Sequence, residues 1–399
     1  MNDAAGTDPA PPAVPPLPLG GAVEEVRDDV LGNHLLDARG LQWLHGVNGD
    51  PYARALCGQD DDPYPLYERV REHGPVHRSL TGSLVVAGRS AAERVLGDGA
   101  VFARPGRGGP VPEPQVLPFL ARDPLAGPEP GAAEEEAEGP AGSGGAAARA
   151  AREAVLERVA ALRGRGGPVR LDVMADAVWP AAVAAAAARC GVPAGGLGAF
   201  AAACRALSGL PDYPLSAQRP QQVRALAAAL EELDGVPGAR PAEAARAAVA
   251  AHLAGNTVLA LLGGPGAWKR VHGEPGLAAA AVGEALRLDP PVQMAARVAR
   301  AGTEVGGAEV PAGAHVVVLV GAAGRDPGAY HAPGAFDPDR SDGGAGAAGR
   351  VVPPAVRGDA EAAVAALAEA LPGLAPAGPV LYRRRRPVSR GPLALPASA

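Results

Sequence analysis

The sequence is short of the residues that most often carry redox and metal chemistry. Its 399 residues include three cysteines, eight histidines and one lysine, and only 3% are aromatic. Cys57, Cys190 and Cys204 have no metal-ligand spacing, and such an odd, sparse set is typical of a reducing cytoplasm rather than of a disulfide framework. The net charge of −6 gives no indication of nucleic acid or an anionic membrane as a partner.

Long apolar runs are also missing. No stretch of about 18 uninterrupted apolar residues is present, and the Ala-rich segment 181–189 is too short to cross a membrane. Residues 1–20 are rich in Ala, Pro and Gly and lack the basic start and apolar centre of a signal peptide. We therefore expect a disordered tail over 1–20 and a cytoplasmic protein.

The rest of the chain has an ordinary globular composition, with 47% hydrophobic and 20% charged residues. Residues 147–262 are predicted to be mostly helical, with breaks at Gly and Pro, and short strands follow over 304–320. This pattern predicts a mainly α fold with small β-sheets. Residues 104–147 are of low complexity, with an acidic run at Glu134–Glu136, and we expect them to be poorly ordered.

Residues 21–50 are predicted to be a helical segment in front of the main domain, 51–399. Apolar residues recur there at helical spacing on both sides of Gly32-Asn33, and Trp43 lies in the second half. Aromatic and apolar anchors of this kind are typical of interfaces, although the same stripe could instead pack on the protein's own body. The candidate partner-binding residues are Val26, Val30, Leu35, Leu41, Trp43 and Leu44.

The most informative motif starts at Glu284 and Arg287, which lie i, i+3 on one helix face and can form an ion pair. Further segments follow in a fixed order: Leu288–Gln293, Arg297, Val310–Gly313, Arg325–Pro327 and Phe336–Arg340. This ordered set resembles the cytochromes P450, from the ExxR motif of the K helix to the meander, and the resemblance extends over about 50–398. It implies a cytochrome P450 fold.

The resemblance also assigns a structural role to the motif. In the family, an arginine of the meander joins the ExxR pair, and the matching residue here is Arg340. The alternative is a surface pair of Glu284 and Arg287 that contributes a few tenths of a kcal/mol. We favour the clamp of Glu284, Arg287 and Arg340, whose role is in folding rather than in chemistry.

The haem ligand that the family requires is missing. A P450 activates O₂ at a haem iron held by a cysteine thiolate, in a loop before the last long helix. No cysteine follows Cys204, and counting back from Leu371-Pro372-Gly373 puts the ligand position near Arg350. A guanidinium is not a metal ligand. We therefore expect no haem, no bound metal, no catalytic residues and no monooxygenase activity.

Other haem-site features are incomplete. The proton-relay positions of the I helix fall on Thr257 and Val258, without the acid of the family pattern. The C-helix region, 134–145, has no match to the family's propionate-binding motif. Arg297 does match the family's other propionate arginine, but an arginine there could equally bind a carboxylate or backbone carbonyls.

No other catalytic motif is evident in the sequence. The histidines form no metal-ligand motif, and neither a phosphate-binding loop nor a Gly-x-Ser-x-Gly elbow is present. The run Arg383–Arg386 could bind anions, but we interpret it as a solvated strand edge.

A P450 fold without its cysteine resembles the P450-like auxiliary proteins that activate deoxysugar glycosyltransferases in actinobacterial antibiotic pathways. Ala38–Asp50, followed by Pro51-Tyr52-Ala53, resembles the N-terminal region of that group. The resemblance implies a glycosyltransferase partner that transfers a dTDP-deoxysugar to a polyketide-type aglycone such as a macrolide, in a hetero-oligomer expected to be a heterotetramer. Two alternatives are a divergent haem protein with another ligand and a pseudoenzyme that binds the aglycone.

Overall fold

The computed structural model describes residues 23–105, 143–216, 218–274, 276–341 and 344–399. The predicted tail over 1–20 and most of the low-complexity segment lie outside these ranges. At the end of that segment the expectation of poor order is wrong, because Ser143–Ala147 form the start of a long helix.

The described residues contain thirteen α-helices, in agreement with the predicted helical body. They are α1 Asp28–Val47, α2 Pro51–Leu56, α3 Tyr64–Glu72, α4 Arg89–Gly97, α5 Ser143–Arg163, α6 Trp179–Cys190, α7 Leu197–Ala206, α8 Pro220–Asp234, α9 Pro241–Gly263, α10 Ala267–Gly273, α11 Leu277–Leu288, α12 Val320–Gly324 and α13 Pro354–Ala370. Short 3₁₀ turns include Leu207–Asp212 and Gly346–Arg350, and a π-helical turn, Val173–Val178, precedes α6.

Twelve short strands complete the described fold. They are β1 His77–Arg78, β2 Leu84–Val86, β3 Phe102–Ala103, β4 Arg170–Asp172, β5 Met294–Ala299, β6 Thr303–Val305, β7 Ala308–Val310, β8 His315–Leu319, β9 Ala375–Pro376, β10 Leu381–Tyr382, β11 Pro392–Ala394 and β12 Pro396–Ser398. Five form a sheet in the order β1-β2-β8-β5-β3, in which only β2 and β8 are parallel. The others pair as β4-β12-β9, β6-β7 and β10-β11. The predicted class, mainly α with small β-sheets, is confirmed.

Two predicted boundaries are corrected. Gly32-Asn33 does not interrupt the N-terminal segment, since α1 continues through it. The four arginines after Tyr382 form a turn beyond β10 rather than a strand edge.

Alanine-rich helices build the centre of the molecule. Because alanine is small, α9 packs directly against α6 and α13, and α6 packs against α5. Two described segments, Val173–Cys190 and Pro241–Gly263, are long and apolar enough to cross a membrane. They are 61% and 72% buried inside the fold, as the core helices of a globular protein are.

One buried ionic network ties the three central helices together. Arg189 of α6 donates from Nε to Glu243 Oε2 of α9 at 2.8 Å, and from both terminal nitrogens to the Asp359 carboxylate of α13. All three side chains are 5% exposed or less. Burial raises the pKa of Asp359 more than Arg189 lowers it. For Glu243 the outcome is opposite: burial alone would raise its pKa, but Arg189 and Arg246 together lower it.

We expect Arg189→Ala to lower the free energy of unfolding by about 3–5 kcal/mol, because it leaves two buried carboxylates without their shared cation. Arg152→Ala is the matched control, since Arg152 pairs with Glu369 of α13 at an exposed site, and it should cost about 1 kcal/mol or less. Urea denaturation measures both. Equal losses in the two variants would contradict the structural role of the network.

Candidate partner-binding surface and the former haem site

The charged side chain of Arg287 is completely buried, with none of its surface exposed. Its guanidinium donates to Glu284, from Nε to Oε2 at 2.8 Å and from Nη2 to Oε1 at 2.7 Å. It also donates to the carbonyls of Gly324 at 2.6 Å, Pro333 at 2.8 Å and Ala335 at 3.0 Å. The alternative of a surface pair therefore does not hold.

Arg340 lies where the family resemblance places the third member of the clamp. Its Nε donates to Glu284 Oε1 at 3.2 Å, and the amide of Asp337 donates to the same oxygen at 3.0 Å. Glu284 thus joins α11 to residues 337–340. These contacts lie within the scaffold, so the clamp stabilises the fold and offers no group for chemistry.

The former ligand position does not present a metal ligand. Arg350 ends the turn Gly346–Arg350, its side chain is exposed, and its guanidinium lies against Gly97 at the end of α4. Ala347 and Ala348 of the same turn are 2% exposed and belong to the core. The residues present here do not fit a haem-thiolate.

Cys57 and Cys204 do not supply a thiolate from elsewhere. Cys204 of α7 is buried, and burial raises the pKa of its thiol to about 12. Burial also raises the pKa of the Cys57 thiol. Both are therefore protonated at neutral pH. In the described part of the chain, no group of three or more His, Cys, Asp or Glu side chains is arranged to hold a metal ion.

The relay positions of α9 are occupied by packing groups. Thr257 is fully buried, and its hydroxyl donates to the Leu253 carbonyl of the same helix at 2.8 Å. Val258 is also fully buried in the core. Neighbouring Gly255 lies so close to Met174 that a Cβ would come within 2.4 Å of its Sδ. The helix face is therefore filled by side chains.

Arg297 of β5 is 7% exposed and donates from Nη1 to the Ala296 carbonyl at 2.7 Å. Binding to a backbone carbonyl is one of the alternatives that the sequence analysis gives for Arg297. The C-helix region at 134–145 lies outside the described residues, apart from 143–145 at the start of α5.

The candidate partner surface is only partly where the sequence suggested. Val26 and Leu35 are 2% and 0% exposed and lie in the core, so their assignment to a partner surface is wrong. Val30 and Leu41 are half-buried. The physical reason is that α1 is apolar on two faces, and helical periodicity alone does not tell which face points inward.

The outer face of α1 is formed by other residues at helical spacing. Leu36, Trp43 and Val47 are 59%, 56% and 62% exposed, and Leu44 is 41% exposed. Gly40 lies between them with no heavy atom near its open side. A helix face that carries several large apolar side chains is normally buried. We call Leu36, Gly40, Trp43, Leu44 and Val47 the outer stripe.

The inner face of α1 fixes the outer stripe on the body. Gln42 donates to the Leu215 carbonyl at 3.3 Å. Gly46 lets α2 approach so closely that a Cβ there would be 3.1 Å from Arg54 Cα. The outer stripe is therefore held by packed contacts and is not a loose appendage.

Asp50 fixes the end of α1 to α2 and β1. Its carboxylate accepts from the amides of Tyr52 at 2.9 Å and Leu80 at 2.6 Å, from Ser79 Oγ at 2.5 Å, and pairs with His77 Nε2 at 3.3 Å. Burial alone would raise its pKa, but these hydrogen bonds lower it to about 2.

Comparison with known proteins agrees with this geometry. The sequence profile described as Cytochrome P450 matches residues 276–350, which include the clamp. Protein DesVIII of Streptomyces venezuelae is 43% identical over 98% of this chain and 100% of its own length. This chain belongs to the cytochrome P450-like auxiliary proteins.

Further similarities support that membership. The Cytochrome P450 family protein EryCII of Saccharopolyspora erythraea is 36% identical to this auxiliary protein over 90% of the chain and 96% of its own length. The crystal structure of P450BioI with an acyl-ligated acyl carrier protein superposes with a TM-score of 0.67. It covers 84% of this chain and 98% of its own at 21% identity, which shows the fold alone. The predicted cytochrome P450 fold is confirmed.

Sequence reasoning missed part of the surface of this auxiliary protein. Leu36 and Val47 were not selected, although the spacing 36, 40, 43, 47 is detectable once α1 is taken as one continuous helix. The role of Asp50 could have been suspected from Asp50-Pro51, a good N-cap before a proline at the first helical position.

We expect Asp50 to make stability depend on acidity in a defined range. Its pKa falls from 3.8 to about 2 on folding, so its contribution is complete above about pH 4 and is lost as the pH falls towards 2. Over that range the wild type should lose about 2 kcal/mol more than Asp50→Asn. Urea denaturation at several pH values measures this, with Asp37→Asn on the outside of α1 as control. Parallel curves for wild type and Asp50→Asn would contradict it.

Proposed function

We propose that the protein is a non-catalytic partner that binds, stabilises and activates a glycosyltransferase. The transferase attaches a dTDP-deoxysugar to a polyketide-type aglycone in antibiotic biosynthesis. The observation that carries the proposal is the outer stripe, an exposed apolar surface on a firmly anchored helix. Similarity to DesVIII and EryCII over nearly their whole lengths supports it.

The lack of catalysis belongs to the same proposal. The haem-thiolate ligand is replaced near Arg350, the relay positions Thr257 and Val258 are packed, and no acid accompanies them. The clamp of Glu284, Arg287 and Arg340 keeps the scaffold rigid. A rigid scaffold without reactive groups suits a binding role, since a preorganised surface loses little conformational entropy on association.

The proposed mechanism of activation is mass action. A partner that binds only the active conformer of an enzyme stabilises it by about 2.7 kcal/mol when present at 100 times its dissociation constant. The outer stripe would contribute most of that affinity, because tryptophan and large aliphatic side chains lose unfavourable contact with water at the centre of an interface. We propose a cytoplasmic hetero-oligomer with the stoichiometry of a heterotetramer.

We expect the double variant Leu36→Asp/Trp43→Ala to weaken binding to the proposed glycosyltransferase partner by at least tenfold. It should also lower sugar transfer on co-expression in parallel, because the variant removes the centre of the apolar contact and introduces a charge. Affinity is measured by biolayer interferometry and transfer by product chromatography.

The matched control for this test is Leu197→Asp, which changes a residue exposed to 41% at the start of α7, away from α1. It should leave both readouts within twofold of the wild type. Equal weakening by the control, or wild-type binding by the double variant, would show that the outer stripe is not the interface. Circular dichroism confirms that each variant is folded.

We also expect the purified protein to show neither a Soret band nor a reduced-CO difference spectrum. Arg350→Cys should not restore either, because the former ligand turn packs Ala347 and Ala348 into the core and the Arg350 side chain points towards Gly97. The measurement is an absorbance scan after expression with added haem precursor. Stoichiometric haem in the wild type would favour the divergent haem protein instead.

A further inference from the structure

A small cleft lies between the end of α2 and the turn that follows β10. Its volume is about 40 Å³, and its lining includes Arg54, Arg383, Arg386 and Arg390, together with Asp60 and Asp61. Four arginines against two aspartates leave two positive charges in a narrow space. About 40 Å³ holds roughly three waters, which is close to the size of one tetrahedral phosphate group.

Two of these arginines have their charges compensated by carboxylates. Arg390 donates from Nε to Asp289 Oδ1 at 2.6 Å, and Arg54 Nε lies 3.6 Å from Asp60 Oδ2. The other two form no ion pair. Arg386 donates from Nη1 to the Ser208 hydroxyl at 3.0 Å, and its charge opposes the rise that burial causes in the pKa of Asp212. Arg383 is exposed and makes no side-chain hydrogen bond or ion pair among the described residues.

The surroundings of Arg383 increase the excess of positive charge. Partial burial, followed by the charges of Arg386 and Arg205, lowers the pKa of Arg383. Arg205 lies over the ring of Trp179, with its guanidinium carbon 5.1 Å from the ring centroid. Nearby His252 stays neutral, because burial together with Arg386 and Arg383 lowers its pKa to about 3.

A buried carboxylate fixes the backbone just after the arginine turn. Asp212 is fully buried, and its Oδ1 accepts from the amides of Val388 at 2.8 Å and Ser389 at 3.2 Å. Its carboxylate also interacts with the charge of Arg386. The backbone that carries Arg386 is therefore held against the body, whereas the Arg383 side chain is exposed.

The turn that carries Arg383 and Arg386 has a strained backbone at Arg385. Arg385 has a φ of +62°, a conformation that glycine adopts at little cost, and its amide donates to the Gly58 carbonyl at 2.6 Å. The chain uses glycine at 55 positions but not at this one. Backbone strain of this kind, of order 1–3 kcal/mol, is typical of binding sites.

We propose that this cleft is a binding site for a phosphate group, with Arg383 and Arg386 as its principal ligands. A guanidinium matches the oxygens of a phosphate bidentately, and the anion would cancel the mutual repulsion of Arg383, Arg386 and Arg205. The phosphate can come from free inorganic phosphate or from a nucleoside diphosphate. The site lies outside the outer stripe and does not depend on the proposed glycosyltransferase partner.

The test uses the full-length protein and inorganic phosphate at constant ionic strength. We expect phosphate to raise the thermal midpoint of the wild type above that in chloride or acetate. Arg383→Gln should weaken phosphate binding by roughly tenfold to a hundredfold, as expected for a lost charge-assisted hydrogen bond. Without phosphate the same variant should melt higher than the wild type, because repulsion in the cleft is relieved.

Arg384→Gln is the matched control, because Arg384 is the next residue, lies 3.9 Å from Asp61 and does not line the cleft. It should bind phosphate within twofold of the wild type. Equal losses in the two variants, or an equal response to acetate, would overturn the proposal. Thymidine diphosphate identifies the source: binding at least tenfold tighter than phosphate indicates a nucleotide, and equal binding indicates free phosphate.

Discussion

The buried guanidinium of Arg287 is the constraint on which much of the fold depends. A charged group without exposed surface is tolerated only when each of its donors has a partner, and here a carboxylate and three backbone carbonyls supply them. Those partners come from α11, from the end of α12 and from residues 333–335. The backbone of these segments is therefore fixed by one side chain. Gly324 shows how tight the arrangement is, since a Cβ there would lie 2.0 Å from the Arg287 carbonyl.

A second buried charge, Arg189, organises the central helices. Arg189 links α6, α9 and α13, and between these helices the packing is mostly alanine. Small side chains allow close approach but provide little directional preference. The ionic network therefore determines how the three helices are oriented relative to one another. In this auxiliary protein α6, α9 and α13 are thus held together by Arg189, Glu243 and Asp359.

The fold was predictable where the chain carries an ordered set of motifs. Glu284, Arg287 and Arg340 follow from spacing together with the family resemblance, and Arg350 follows from counting along the chain. The outer stripe was predictable only in part. Trp43 and Leu44 are exposed, but Val26 and Leu35 are core residues, because a helix with two apolar faces gives the same periodicity whichever face points inward.

Other features depend on contacts that no local pattern encodes. Arg189 meets Glu243 and Asp359 across 54 and 170 residues of sequence. Arg383 forms no ion pair among the described residues, whereas Arg390 and Arg54 pair with Asp289 and Asp60. In the sequence, Arg383–Arg386 is a run of four like charges, which is usually solvated. In the structure the first three are exposed, and the run forms a turn beside a cleft.

The anchoring of α1 has a consequence for how recognition can change. Inward-facing positions such as Leu31 and Leu35 are required by the core, whereas outward-facing positions such as Leu36 and Val47 contribute nothing to it. The two sets alternate along one helix, so they can be altered separately. Substitutions at the outer positions could redirect the protein towards a different enzyme, while the inner positions and Asp50 remain unchanged and preserve folding. Binding specificity and folding stability would then depend on two separate sets of residues within the same twenty-residue helix.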